Sequence, residues 1–293
     1  MPRSEIPMRR IKVFCYLLTL AVASPLITRP ATASVTSRIS CAHGSVGVSL
    51  DIDGDIDPAS VEVIRNLFAK LHAQEAMLAS GGKCDADNAT QANDLSAFGD
   101  HYGINSRGGS IYAAMAIGRM LRRENAWIAV NGVCFSACVF ILAGAVDRMI
   151  GESDQVGIHR PYLWSTPENP MGADQVMLAY SRTLQDMRSY LSEMNVSQRL
   201  ANDMLATEPE NNRILTEAEL KAYRLTGVDP AEQQRRAIQK EAADIKEANE
   251  LGLDRLEYTR RKSLGGILCD SLSTGDYGAF IACKRSILKH GNF

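Results

Sequence analysis

Ile104-Asn105-Ser106-Arg107-Gly108-Gly109-Ser110 is the stretch that decides the fold class. Gly103 to Ser110 reads as a strand end running into a glycine turn, and Ile111 to Arg123 continues as a helix with Ala and Met inside and charges at its end. Working outward, Val46 to Ile52 alternates apolar and polar residues as a half-buried strand does. Gly54 and Pro58 mark a turn into a helix on which Val61, Ile64, Leu67, Phe68 and Leu71 recur at helical spacing up to about Ala76. Ala79 to Asp94 is a polar, glycine-containing loop. Downstream, Ala126 to Val130 is a short apolar strand, Cys134 to Val146 suits a fully buried helix, and Arg148 to Gly151 and Gln155 to Ile158 are short strands. Strands alternating with helices predict an α/β domain with mostly parallel pairing. Ala173 to about Met194 is an amphipathic helix. A second helix begins near Ser197, and Thr216, Glu217 and Glu219 open a third that ends near Tyr223. After Pro230 the composition shifts: Ala231 to Lys262 reads as one long solvated helix, and Leu264 to Phe293 as a small stapled appendage.

The chain of 293 residues is 45% hydrophobic with a formal net charge of -2, so it can bury a sizeable core and carries no charge signature for nucleic acid or an anionic membrane surface. Residues 1–33 form a targeting segment. Arg3, Arg9, Arg10 and Lys12 precede the apolar run Val13 to Ile27, and Ala31-Thr32-Ala33 supplies a small-residue cleavage site before Ser34. The expected location is periplasmic or secreted, with an uncleaved N-terminal membrane anchor as the alternative. Cys15 lies in that segment, and the remaining six cysteines suit disulfides in an oxidising compartment. Several pairings are open; proximity selects Cys41–Cys84, Cys134–Cys138 and Cys269–Cys283. No CxxC pair or ligand-spaced His supports zinc. Asp51, Asp53, Asp55 and Glu62 fall on calcium-loop positions, but Ile56 stands where that loop needs glycine. No metal and no cofactor is expected.

Three segments carry residues fit for chemistry. The Gly108-Gly109 turn before a helix suits either a tight strand-to-helix connection or an oxyanion hole. Gly132-Val133-Cys134-Phe135-Ser136-Ala137-Cys138 sets a serine among small residues at a helix start, as a nucleophile or an N-cap. Gly157-Ile158-His159-Arg160-Pro161 ends a strand in a histidine, where side chains commonly line active sites. His43, His72, His101 and His290 have no nucleophile motif beside them.

This order, glycine turn, serine helix, strand-end histidine, resembles the proteolytic subunit of Clp proteases within the wider Clp/crotonase superfamily. That family carries an Asn-Ser-Pro-Gly-Gly turn and an Ile-His-Gln-Pro motif; here they read Asn105-Ser106-Arg107-Gly108-Gly109 and Ile158-His159-Arg160-Pro161. Gly54-Asp55-Ile56 resembles the family's first turn, and residues of about 171–206 its protruding handle helices. The resemblance covers about 46–229 and implies a spiral of β-β-α units over 34–229, followed by a helical, Cys-containing extension over 230–293. It implies Ser136 as nucleophile, His159 as base, and the N–H groups of Gly109 and Ala137 as oxyanion hole. Asn212 stands where the family has its Asp, with Glu208 and Glu210 as possible substitutes. Arg107 and Arg160 replace the family's Pro and Gln, either beside an acidic substrate or as solvated residues. The expected partners are peptides or unfolded protein segments and further copies of the chain, with no ATPase, since the periplasm lacks ATP. The alternatives are a catalytically inactive scaffold or binding protein of the same fold, which Asn212 favours, and a crotonase-type acyl-CoA enzyme, which export disfavours.

Overall fold

The computed structural model describes residues 34–42, 45–84, 100–162, 172–272 and 276–291. The targeting segment 1–33, His43, most of the expected 79–94 loop and the first residue of the expected handle lie outside the described residues. Strand β1 (Ser34–Ala42) pairs antiparallel with β2 (Ser45–Asp53), which pairs in parallel with β3 (His101–Ser106). β4 (Trp127–Phe135) lies parallel to β3 and then forks. Its first residues, Trp127 to Ala129, pair with β5 (Asp147–Met149), whereas Val133 to Phe135 pair with β6 (Gln155–Ile158). Two short antiparallel strands complete the eight-stranded sheet: β7 (Arg213–Ile214) on β6 and β8 (Gly227–Val228) on β5.

The fork sits at Gly132, whose φ of +111° bends the strand. Its N–H donates to Asp154 Oδ1 at 2.8 Å, and the N–H of Val133 donates to Asn105 Oδ1 at 3.2 Å, so ladder bonds lost at the bend are replaced. Where neighbouring strands part, a crevice opens at their carboxyl ends, the usual place for ligands in α/β sheets.

Helix α1 (Pro58–Ala79) starts with Pro58 inside its first turn and Asp57 as cap, and buries Ile64, Leu67, Phe68 and Leu71 on the sheet. Helices α2 (Ile111–Arg123) and α3 (Cys138–Gly144) cross through glycines: a Cβ on Gly144 would lie 2.3 Å from the Gly118 Cα. Because that neighbour is backbone, the helices must part to admit a methyl. Gly144→Ala is expected to lower stability by about 2 kcal/mol, overpacking outweighing the better helix propensity of Ala, and urea denaturation checks this. The remaining helices are α4 (Ala173–Glu193), α5 (Arg199–Ala206), α6 (Glu217–Tyr223), α7 (Pro230–Glu250), α8 (Arg255–Cys269) and α9 (Tyr277–His290).

Three expectations need correction. Cys134 and Phe135 belong to β4 and not to the following helix, because pairing with β6 holds them extended. The long helix expected over 231–262 is two: α7 stops at Glu250, Gly252 turns with φ +66°, and Asp254 caps α8 by accepting from the Glu257 N–H. Helix α5 begins at Arg199 with Gln198 at its cap, and Ser197 Oγ accepts from the Arg199 N–H at 3.3 Å. Beyond α7, Cys269, Cys283 and Ile287 form a small core of their own with Leu264, Leu272 and Phe280. Disulfides join Cys41 to Cys84, Cys134 to Cys138 and Cys269 to Cys283, the pairs that proximity selects. No helix among the described residues is long and apolar enough to cross a membrane.

One polar hub ties these layers together. Arg148 on β5 is 2% exposed, and its guanidinium donates to the carbonyls of Leu142 (3.1 Å), Ala143 (2.7 Å) and Arg224 (2.5 Å). Burial, and then the like charge of Arg122, push its pKa down to about 10. Arg122 donates to Asp229 Oδ2 at 3.1 Å and to the carbonyls of Ala143 and Met194. Two cations thus meet the negative ends of α3, α4 and α6, while Asp229 caps the positive end of α7 by accepting from the Ala231 N–H. Burial alone would raise the Asp229 pKa. Hydrogen bonds from Asn195, the Ala231 N–H and Arg122 outweigh it and hold the carboxyl below its usual value.

Candidate active site

A cavity of about 500 Å³ opens at the carboxyl ends of β4 and β6. Ser136, His159, Gly108, Gly109, Arg107, Pro161 and Tyr162 line it, together with Asp55, the start of α2 and Thr183 of α4. Ser136 is half-buried and sits on the turn between β4 and α3. Its backbone is left-handed, φ +57°, a conformation that costs a residue with a Cβ. The turn is pinned on one side by the Ser136 N–H, which donates to the Gly157 carbonyl at 2.9 Å, two residues before His159 on the neighbouring strand. On the other side the glycine turn presses against it: a Cβ on Gly108 would lie 2.7 Å from Ser136 Cβ and 3.1 Å from the Ala137 N.

Two backbone donors face away from their own chain's acceptors. The Gly108 carbonyl accepts from the Ile56 N–H at 2.7 Å, so in a planar trans peptide the Gly109 N–H points the opposite way. The Ser136 carbonyl accepts from the Val139 N–H at 3.2 Å, which turns the Ala137 N–H outward in the same manner. Neither N–H meets an acceptor among the described residues. Gly109 itself cannot carry a side chain, since a Cβ there would fall 2.2 Å from the Ile56 carbonyl oxygen.

His159 is buried at 8% exposure, with the ring of Tyr162 stacked on it at 5.8 Å. Its Nδ1 lies 2.8 Å from the Arg160 carbonyl oxygen. A carbonyl only accepts, so Nδ1 carries the hydrogen and Nε2 of the neutral ring holds a free lone pair, the form a general base requires. Arg160 is itself held on both sides of its Cα, its N–H donating to the Thr207 carbonyl at 2.9 Å and its guanidinium paired with Glu208. No hydrogen bond joins Ser136 Oγ to the imidazole among the described residues; such bonds are often long in unliganded sites.

The sequence-derived site residues thus divide. Ser136, His159 and Gly109 line one cavity, and Ala137 follows the serine directly. Asn212 is exposed before β7 and makes no hydrogen bond to His159; Glu208 is spent on Arg160, and Glu210 is exposed. The orienting partner of the ring is a backbone carbonyl, which no side-chain motif announces. Of the two arginines, Arg107 lines the cavity and Arg160 is ion-paired. Asp51 and Asp53, taken above as calcium-loop positions, contact His101 and Asn105, and no metal-holding group of His, Cys, Asp or Glu occurs among the described residues.

Comparison with known proteins gives one family. Residues 101–227, from β3 to the start of β8, match the family model described as Clp protease. No curated protein matches the chain.

Proposed function

Because residues 101–227 of this chain belong to the Clp protease family, we propose that it is an exported serine peptidase in which 34–229 is the catalytic unit and 230–293 an appended extension. The observation that carries the reading is the left-handed Ser136 sharing a cavity with a buried histidine of the correct tautomer. In this mechanism Nε2 of His159 takes the Ser136 hydroxyl proton as Oγ attacks a peptide carbonyl, and returns it to the leaving amine. The N–H groups of Gly109 and Ala137 stabilise the tetrahedral oxyanion, worth roughly 3 to 4 kcal/mol per donor. Water then clears the acyl-enzyme by the same route.

Peptides or unfolded segments are the proposed substrates, and self-association into a ring is the proposed assembly. Export is supported by three disulfides and by the N-terminal targeting pattern. One observation favours a second reading, an inactive binding protein of the same fold: the imidazole faces a carbonyl where active serine triads have a carboxylate. Incubation of the oxidised chain with unfolded casein or fluorogenic peptides decides between them. The peptidase releases fragments, and Ser136→Ala does not; release that is absent, or equal in both, leaves only the binding protein.

A further inference from the structure

We propose that the Cys134–Cys138 disulfide is a positioning device for Ser136: by bridging the turn it holds the serine left-handed and so sets the rate of acylation. This rests on the serine reading above. The two cysteines flank Ser136 symmetrically, are bonded to each other, and are both 0% exposed. Cys134 is fixed in the sheet opposite Ser106 and Val156, and Cys138 is the first residue of α3. The bond therefore ties strand end to helix start, with the serine at the apex between them.

The backbone of Ser136 needs such a tie. Among the described residues four non-glycine residues have positive φ, and three of them, Asn125, Asn195 and Arg224, follow the last turn of α2, α4 and α6, where left-handed caps are ordinary. Of these four, Ser136 is the one that precedes a helix, where no cap geometry asks for that conformation.

Loop length separates positioning from stabilisation. A disulfide restricts the unfolded chain more as the closed loop lengthens. The separations are 43 for Cys41–Cys84, 14 for Cys269–Cys283 and only 4 for Cys134–Cys138. The bridge at the serine restricts the unfolded chain least, yet its three-residue loop is the one that holds Ser136, which lines the cavity.

The test is the second-order rate constant with which a fluorophosphonate reacts with Ser136 in folded protein. Cys134→Ala/Cys138→Ala is expected to react about a hundredfold more slowly, the scale of a small misplacement at a reacting atom. Its kcat on peptides falls in parallel while KM stays within about twofold, as expected when ground-state binding is untouched. Cys41→Ala/Cys84→Ala and Cys269→Ala/Cys283→Ala keep the wild-type rate constant. A Cys134→Ala/Cys138→Ala protein that reacts at the wild-type rate overturns the proposal. If that variant does not fold, wild-type protein is reduced with a phosphine, the disulfide becoming two thiols as the phosphine is oxidised. Labelling must then slow and recover on reoxidation, and an unchanged rate overturns the proposal equally. Wild type that never labels removes the serine reading itself, and this role with it.

Discussion

His159→Ala is expected to lower peptide hydrolysis by about three decades, with KM changed little. In an intact serine triad, loss of the histidine costs about a million-fold in kcat. Part of that rests on the carboxylate, whose replacement by an amide costs about four decades when the wrong tautomer results. Here the Arg160 carbonyl enforces the correct tautomer without a full charge, so the imidazole still works as a base but its cation is less stabilised. The histidine is therefore worth less than in a full triad and more than nothing. Asn212→Ala, by contrast, is expected to leave the rate within about twofold, because the side chain is exposed, makes no hydrogen bond to the ring and does not line the cavity. Steady-state kinetics on one fluorogenic peptide checks both. A loss with Asn212→Ala as large as with His159→Ala would return the orienting role to the amide.

Arg148→Met is expected to cost about 3 to 5 kcal/mol of stability, the range for removing one partner from a buried charge cluster. The side chain satisfies the carbonyls of Leu142, Ala143 and Arg224 and lies 3.7 Å from Asp229. Met fills a similar volume but takes the arginine donor from the Leu142 and Arg224 carbonyls, leaves the Ala143 carbonyl to Arg122, and leaves Arg122 as the one arginine facing Asp229. Arg148→Lys recovers only part of the loss, since an ammonium cannot reproduce the planar fork that spans three chain segments. Denaturant midpoints for the three proteins test this ordering. Equal midpoints for wild type and Arg148→Met would mean that the cluster contributes nothing to the folded state.

Much of this fold is legible because its signals are local. Helix α2 has its bounds written in Ser110, whose Oγ accepts from the Ala113 N–H, and in Arg122 and Arg123 at the other end. Helix α6 opens on Thr216 and Glu219, which cap each other's backbone N–H groups. Features set by distant partners are not legible. The fork of β4 depends on two strands later in the chain, so Cys134 and Phe135, apolar and next to a helix, look helical in sequence. Strands β7 and β8 are two residues each, too short for a period. Strand β1 does alternate at Val35, Ile39 and Cys41, but it adjoins the expected cleavage site, and its pairing with β2 is what reveals it. In the candidate site, side-chain chemistry marks Ser136 and His159, and glycine pairs mark the turn. The group that fixes the imidazole is a peptide carbonyl, common to every residue and therefore silent in the sequence.

The proposed chemistry depends on activation of the Ser136 hydroxyl by His159. It is tested most directly by exposing the folded, oxidised chain to a fluorophosphonate and mapping the adduct by peptide mass spectrometry. One phosphonyl group per chain on Ser136, strongly reduced in His159→Ala, is the predicted result. A folded protein that takes up no phosphonate, or takes it up at another residue, contradicts the account.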